Sequence, residues 1–105
     1  MKTVKFGLNN ETIEKLQSIF KQFPSIETVL IYGSRAKGNF HKGSDIDLSI
    51  IGDALNTSDL LAIENEIDDL LLPYKIDLSL IKQIENQELL DHIKRVGQVF
   101  FTKDN

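Results

Sequence analysis

The sequence predicts an α/β (α+β) fold in which a single mixed sheet has helices packed on one face. Two observations support this prediction. Apolar residues recur at helical spacing in three segments, and short β-branched or aromatic stretches with a period of two lie between and after them. The predicted order is α-β-(loop)-β-α-β-α-β. Because 105 residues leave room for one core, we predict one domain over residues 1–105.

The first predicted helix is bounded by a capping residue, Asn9 or Asn10, and by Pro24. Its inward side is formed by Ile13, Leu16, Phe20 and Phe23. The segment 27–32 is β-branched and aromatic and is followed by Gly33, which predicts the first strand.

A loop with glycine and lysine residues, 33–44, follows this strand, and we expect one helical turn in it after Ser34. The segment 45–51 alternates with a period of two and is predicted to be the second strand. The next helix is capped by Thr57 or Ser58. Its predicted inward residues are Leu60, Leu61, Ile63, Ile67, Leu70 and Leu71.

The last part of the chain repeats the pattern of strand and helix. Segment 75–80 alternates again and is predicted to be the third strand. A last helix is expected over about 85–96, with Gly97 as the residue that follows its C-terminus. Segment 98–102 is predicted to be a short terminal strand.

The composition excludes several classes of protein. With 41% hydrophobic residues and a net charge of −4, the chain is too apolar and too weakly charged to be disordered. It has no apolar run near the roughly 18 residues of a membrane span, and the absence of cysteine excludes a thiolate metal site. No signal-peptide pattern is visible, so we expect a cytoplasmic protein without a membrane partner. The acidic balance argues against DNA as a partner, because duplex binders normally carry a basic face.

A tetrapeptide that occurs twice in the chain indicates where the candidate functional residues lie. Segments 46–49 and 76–79 have the same four residues, Ile-Asp-Leu-Ser. Because side chains alternate between the faces of a strand, Asp45 and Asp47 lie on the face opposite the apolar residues, as does Asp77. If the two strands are neighbours, three carboxylates meet on the open face. A shared site needs Gly33 and Asp45 at the same end of the sheet, so the first two strands are predicted to be antiparallel. Asp77 lies near the start of its strand, so that strand is predicted to run parallel to the second.

Three converging carboxylates are typical of sites for hard divalent cations. Like charges this close raise one another's pKa values, and Mg²⁺ relieves that repulsion while leaving positions free for phosphate oxygens. A pair of ions about 3.5–4 Å apart suits an in-line displacement at phosphorus. We therefore predict Asp45, Asp47 and Asp77 as catalytic and metal-binding residues. A merely solvated strand face is the alternative, but aspartate is disfavoured in strands.

The turn that follows the first strand is a candidate phosphate site. Backbone N–H groups at a strand-to-loop turn bind anions, and glycine lets a phosphate approach the main chain closely. Gly33 and Ser34 occupy this position. The neighbouring Arg35 is predicted to clamp a phosphate. Alone, this pair of residues would be an ordinary turn; with the two aspartates of the next strand it indicates nucleotide binding.

These motifs resemble the signature of the DNA polymerase β-like nucleotidyltransferase superfamily. The segment 33–38 reads Gly-Ser-Arg-Ala-Lys-Gly, and 44–48 reads Ser-Asp-Ile-Asp-Leu. The chain's size is similar to that of the minimal nucleotidyltransferases (MNT) of bacteria and archaea. The resemblance implies that Gly33 and Ser34 hold the triphosphate and that the three aspartates bind Mg²⁺. Lys37 stands where such sequences often have arginine, which keeps the charge but not the fork geometry.

The resemblance also implies a function. Small members of the family are similar to the antitoxin half of HEPN/MNT toxin–antitoxin pairs. We therefore expect transfer of AMP from ATP or another nucleoside triphosphate, with two Mg²⁺ ions, to a tyrosine of a HEPN-type toxin. Two alternatives stay open: a binding protein that neutralises its partner by occlusion, and a nucleotidyltransferase that acts on tRNA. The acidic balance argues mildly against RNA.

Other polar and aromatic residues are assigned ordinary roles. His41 is expected to be a solvated loop residue, and His92 a structural or surface residue of the last helix. The acidic segment 64–69 is typical of the solvated face of an amphipathic helix, with an electrostatic contact to a partner as the lesser alternative. Phe100 and Phe101 are expected to complete the core, although an aromatic pair on an edge strand leaves homodimer formation open.

Overall fold

The structure, a computed structural model, describes residues 4–103 and confirms the predicted order of helices and strands. A small hairpin that the sequence did not reveal precedes them. Its strands, β1 (Val4–Lys5) and β2 (Leu8–Asn9), pair antiparallel. The turn residues Phe6 and Gly7 both have positive φ, as in the turns that favour asparagine and glycine. Phenylalanine is unusual at a turn position with positive φ, so its residue type did not indicate a turn.

The helices and strands that follow have sharply defined bounds. They are α1 (Asn10–Lys21), β3 (Thr28–Tyr32), α2 (Gly33–Lys37), β4 (Ile46–Ile51), α3 (Thr57–Asp68), β5 (Ile76–Leu80), a 3₁₀ turn (Ile81–Gln83), α4 (Gln87–Val96) and β6 (Gln98–Thr102). The prediction of one domain over residues 1–105 includes residues 1–3 and 104–105, which lie outside the described part of the chain. No helix within residues 4–103 is both long and apolar enough to cross a membrane.

Strands β3 to β6 form one open mixed sheet in the order β5-β4-β3-β6. β3 is antiparallel to β4, and β4 is parallel to β5, as predicted. β3 also pairs antiparallel with β6, a pairing that the sequence analysis did not address. The register places Asp47 opposite Tyr32 on one side and opposite Asp77 on the other. Neighbouring residues in register share a face of the sheet, so these three side chains lie together.

The core lies between the sheet and the helices α1 and α3. Alternate residues of β3, β4 and β5 point into this core and are apolar. β6 contributes two aromatic side chains, Phe100 and Phe101. Its fully buried members include Leu16, Phe20, Val29, Ile31, Ile46, Leu48, Ile50 and Ile63. The Phe20 ring lies 6.3 Å from Phe100 and 5.8 Å from Phe101, centroid to centroid. The prediction that this aromatic pair completes the core is confirmed.

Helix α4 lies on the other side of the sheet, which refines the prediction of helices on one face. The His92 ring meets the Tyr32 ring edge-on, with 6.0 Å between centroids. Val29 and Ile31 point into the core, so Tyr32 points away from it. The buried Ile93 of α4 does not belong to the main core cluster. α4 therefore covers part of the face that carries the carboxylates.

The start of α3 differs from the sequence prediction. Asn56 caps this helix instead of Thr57 or Ser58, because it forms a reciprocal capping box with Asp59. The Asn56 side chain accepts from the Asp59 amide at 3.0 Å, and the Asp59 carboxylate accepts from the Asn56 amide at 3.0 Å. Each of these bonds satisfies an amide that the helix itself leaves free.

Three apolar or glycine residues also differ from their predicted positions. Leu61 and Leu71, both predicted to point inward, are 56% and 87% exposed. Leu61 lies on the outer side of α3, and Leu71 follows the end of the helix, where the helical period no longer applies. Gly97 ends α4 in an extended conformation, φ −64°, and not in the left-handed one expected of a helix-terminating glycine.

A pair of leucine substitutions tests this assignment of core and surface. Leu16→Ala removes a fully buried side chain from α1 and should lower the free energy of unfolding by about 2–5 kcal/mol. The matched change Leu61→Ala on α3 should alter it by less than about 0.5 kcal/mol. Urea unfolding followed by circular dichroism measures both. Equal losses in the two variants would contradict the packing described here.

Candidate active site

The carboxylates of Asp47 and Asp77 lie side by side at one end of the sheet. The two residues are partners in the parallel pairing of β4 with β5, which sets neighbouring strands about 4.8 Å apart. Asp45 directly precedes β4 and is exposed. The amide of Ile46 donates to the carbonyl of Lys75 at 2.9 Å, which fixes the start of β4 against the start of β5.

Partial burial and neighbouring negative charge both act on the Asp47 carboxylate. Burial raises the pKa of the Asp47 carboxyl above its ordinary value, and the charges of Asp77 and Asp45 raise this pKa further. His92 and Lys75 oppose these effects and lower it. A carboxylate that stays ionised in such a place needs additional positive charge nearby.

The donor set suits a divalent cation, although it is not gathered around a single point. Ionised carboxylates are the ligands that Mg²⁺ prefers, and a cation would relieve the repulsion that raises the pKa of Asp47. Within residues 4–103, no three acidic or histidine side chains already converge closely enough to hold a metal ion. The residues present therefore fit Mg²⁺ if their side chains turn towards one another.

Gly33 makes room for the Asp47 carboxylate. Its φ of +72° lies in the left-handed region that favours glycine. A Cβ atom at this position would collide with Oδ2 of Asp47 and lie 3.2 Å from its Cγ. The residue that directly follows β3 and the Asp47 carboxylate of β4 are thus in direct contact, as the predicted antiparallel pairing requires. Any side chain at position 33 would displace that carboxylate.

Ser34 follows within the short helix α2 and is half-buried. Its carbonyl accepts from the amides of Gly38, at 2.9 Å, and Asn39, at 3.2 Å, which closes the turn. Gly38 terminates α2 with a φ of +88°. The expected helical turn in this loop is therefore present, and it starts at the edge of the carboxylate site.

Arg35 does not take the position that the phosphate-clamp prediction gave it. The side chain is only 2% exposed. Its guanidinium donates to the carbonyl of Ser44 at 2.9 and 3.1 Å, of Phe6 at 2.9 Å and of Lys42 at 3.4 Å. The Phe40 and Tyr74 rings flank the guanidinium at 5.3 and 5.0 Å. Four hydrogen bonds to main-chain carbonyls leave this group little capacity for a phosphate.

Arg35 instead holds the loop that carries the site. Two of its carbonyl acceptors, Lys42 and Ser44, belong to the segment just before Asp45, and the third lies in the turn of the N-terminal hairpin. A buried cation with several carbonyl partners fixes all of them at once. Arg35 is thus a positioning residue, since its contacts determine where the chain enters β4.

Tyr32 and His92 belong to the site, and the sequence analysis missed both. Burial raises the pKa of the Tyr32 hydroxyl, Asp77 and Asp47 raise it further, and a hydrogen bond with Ser79 lowers it. Ser79 in turn donates to the buried Ser49 at 3.1 Å. The signal for Tyr32 was present, because antiparallel pairing of β3 with β4 sets it opposite Asp47. Nothing local to α4 indicated that His92 would face this site.

A match to a family model places this chain among the nucleotidyltransferases. The family model described as "Polymerase beta, Nucleotidyltransferase" matches residues 14–105. Because the match covers most of the sequence, the chain belongs to this family, and its domain supports nucleotidyl transfer in general terms. No curated relative matches the sequence.

Solved structures of toxin–antitoxin complexes share the fold. A toxin–antitoxin complex with AMP-PNP matches at 18% identity with a TM-score of 0.69, over 88% of this chain and 74% of that chain. The Shewanella oneidensis complex of a tri-AMPylated HEPN toxin with an MNT antitoxin matches at 15% identity and 0.64, over 89% and 71%. A mutant toxin–antitoxin complex matches at 21% identity and 0.67, over 92% and 75%. The chain therefore has the fold of MNT antitoxins.

Two glycine substitutions test the contact between Gly33 and Asp47. Gly33→Ala and Gly38→Ala each force alanine into a left-handed conformation and should lower stability by about 1–2 kcal/mol. Only the first also pushes the Asp47 side chain aside, because no atom lies within 4 Å of a Cβ at position 38. Mg²⁺ should therefore raise the melting temperature of Gly38→Ala but not of Gly33→Ala. An equal response of both variants would contradict the contact.

The raised pKa of Asp47 predicts a pH-dependent stability. The folded protein binds the Asp47 proton more tightly than the unfolded chain does, so stability is lost as the pH rises through this folded-state pKa. Asp47→Asn should therefore raise the melting temperature at pH 7 in EDTA by a few degrees. The gain should vanish near pH 3, below the ordinary aspartate pKa of about 3.9.

The control for this measurement is Asp53→Asn, which removes an exposed carboxylate just beyond the other end of β4. This change should leave the melting temperature nearly constant across the same pH range. If Asp47→Asn lowers stability at neutral pH without metal, the carboxylate is not the unfavourable charge described here.

Proposed function

We propose that this protein is an Mg²⁺-dependent nucleotidyltransferase that moves AMP from ATP to a hydroxyl group, and that the acceptor is a tyrosine of a HEPN-type toxin. It would thereby act as an antitoxin. The observation that carries the proposal is the position of Asp47, in register with Asp77 and in contact with Gly33. This arrangement brings two carboxylates and a glycine turn together where a nucleotide's phosphates would lie.

Each residue of the site has a defined part in the proposal. Asp45 and Asp47 would hold the Mg²⁺ ions together with the phosphates, and Asp77 would complete the ligand set on the side of the acceptor. When bound, Mg²⁺ lowers the pKa of the attacking hydroxyl and stabilises charge on the leaving oxygen. Gly33 and Ser34 would contact the triphosphate through the main chain at the start of α2. Arg35 would keep this loop in place.

The proposed reaction is a displacement at the α-phosphorus of ATP. The acceptor oxygen forms a new bond to this phosphorus, and the bond from the phosphorus to the bridging oxygen of the β-phosphate breaks. Pyrophosphate leaves with the electron pair, and the hydroxyl proton passes to solvent. Burial of Asp47 at the floor of the site favours this reaction, because charges in a partly desolvated site interact more strongly than in water.

The partner part of the proposal draws on the related structures. Proteins of the same fold were solved with AMP-PNP and with an AMPylated HEPN toxin. We extend this pairing to the present chain. Occlusion of the partner without chemistry is the second candidate, which the sequence analysis left open.

Label transfer in a lysate of the source organism tests the proposed reaction. Wild-type protein with ATP labelled at the α-phosphate and Mg²⁺ should label a discrete protein band, whereas ATP labelled at the γ-phosphate should not. Asp47→Asn should reduce the labelling on the order of a hundredfold. The control Asp53→Asn keeps the same change of charge away from the site and should label normally.

The other outcomes are equally informative. Label on RNA would replace the protein acceptor by tRNA or a related substrate. Labelling by Asp47→Asn at the wild-type rate would overturn the assignment of the site. If Asp45→Ala/Asp47→Ala still neutralises a co-purifying toxin and no label moves with the wild type, occlusion is the function.

A further inference from the structure

A groove of about 520 Å³ lies between α3 and the edge strand β5, on the face of the sheet away from the carboxylates. We call it the edge groove. Its floor is apolar and is formed by Ile67, Leu72, Ile76 and Leu78. A volume of this size accommodates several large apolar side chains. The groove is thus a concave surface at a sheet edge, with apolar residues at its floor and polar residues over much of the rest of its lining.

The rim of the edge groove is acidic. Glu64 and Asp68 of α3 line it, one helical turn apart. The ion pair formed within residues 4–103 joins Lys15 and Glu11 on α1, so neither rim carboxylate has a described basic side chain within salt-bridge distance. The sequence analysis assigned these acidic residues to a solvated helix face. Their position beside an apolar groove instead gives the groove a charge preference.

Leu71 marks the open end of the edge groove. It is 87% exposed and has a φ of +53°. A non-glycine residue in this left-handed conformation is strained, and the exposed side chain packs little against the described residues in return. Leu61, also exposed, lies one turn further along the same side of α3 as Glu64 and Asp68. Apolar surface therefore extends from both ends of the acidic rim.

The position of the edge groove connects it with the candidate active site. Strand β5 carries Asp77 on the carboxylate face and Ile76 and Leu78 on the groove side. Tyr74 lines the groove and also flanks the Arg35 guanidinium. A protein seated in the groove would lie against the strand that carries Asp77, which the proposed function places on the acceptor side.

We infer that the edge groove binds an amphipathic helix of the partner protein, one with leucine-like residues on one side and lysine or arginine at its borders. The apolar side would enter the groove, and the basic residues would meet Glu64 and Asp68. This mode is the helix-in-groove type of peptide recognition. The inference rests on the proposed function in one respect only, namely that the acceptor is a protein and needs a docking surface.

Charge excludes the main competing occupants. A second copy bound through the same surface would oppose acidic rim to acidic rim, since a two-fold contact is self-complementary. Anionic lipid would be repelled by the same carboxylates. A basic amphipathic segment is the occupant that satisfies both the apolar floor and the unpaired charges.

Synthetic peptides test the edge groove in the absence of nucleotide and metal. The probe is a helical leucine/lysine peptide of about 18 residues, five turns of helix, and its partner has glutamate in place of each lysine. The lysine peptide should bind saturably and shift the NMR methyl signals of Leu72, Ile76 and Leu78. The glutamate peptide should bind at least about tenfold more weakly.

Matched variants separate docking in the groove from general attraction to an acidic protein. Glu64→Lys/Asp68→Lys should invert the preference between the two peptides. The same change of net charge on α1, Glu11→Lys/Glu14→Lys, should not. Leu71→Ser should weaken binding about five- to tenfold, whereas Val99→Ser, at another exposed position on β6, should have no effect.

Three results would overturn the inference. These are equal binding of both peptides, an equal effect of the two charge reversals, and shifts confined to the opposite edge of the sheet around β6. A protein that is dimeric in sedimentation analysis and becomes monomeric with Leu71→Ser would assign the groove to a second copy. Because the peptides are measured without ATP, loss of docking and loss of nucleotide transfer are distinguishable.

Discussion

The alternation of side chains along β4 is the constraint on which both the core and the site depend. Ile46, Leu48 and Ile50 are fully buried beneath α1 and α3, and this placement puts Asp47 on the opposite face. A slip of one residue in register would exchange the two sets, exposing the apolar side chains and burying the charge. The hydrophobic effect that holds the strand in place therefore also sets the register of Asp47 with Asp77.

The same constraint explains which features could be predicted. Period-two alternation and a repeated tetrapeptide can be recognised in the sequence itself. They predicted the strands, the antiparallel and parallel pairings and the shared face of the aspartates. The features that were missed depend on contacts between distant segments. The side of the sheet that α4 covers, the burial of Arg35 and the exposure of Leu71 have no periodic signal. The hairpin was hidden because Phe6 adopts a backbone conformation that its residue type disfavours.

The site combines two kinds of buried charge with opposite consequences. Arg35 is buried with carbonyl and aromatic partners on all sides, so its burial is compensated and it stiffens the loop. Asp47 is partly buried beside other carboxylates, and these effects outweigh the attraction of His92 and Lys75, so the pKa of Asp47 is raised. An arrangement that is unfavourable in the free protein and relieved by its ligand is typical of functional sites. The buried Arg35 helps to hold Asp47 in position, because it fixes the chain that leads into β4.

The bond from Arg35 to the carbonyl of Phe6 gives the N-terminal hairpin a significance beyond its size. The family match begins at residue 14, so the hairpin lies outside the shared domain. A shortened chain that started with α1 would keep every carboxylate and still lose one acceptor of a buried guanidinium, at a cost of about 1–3 kcal/mol. The working boundary of this domain is therefore set by a hydrogen bond and not by the reach of sequence similarity.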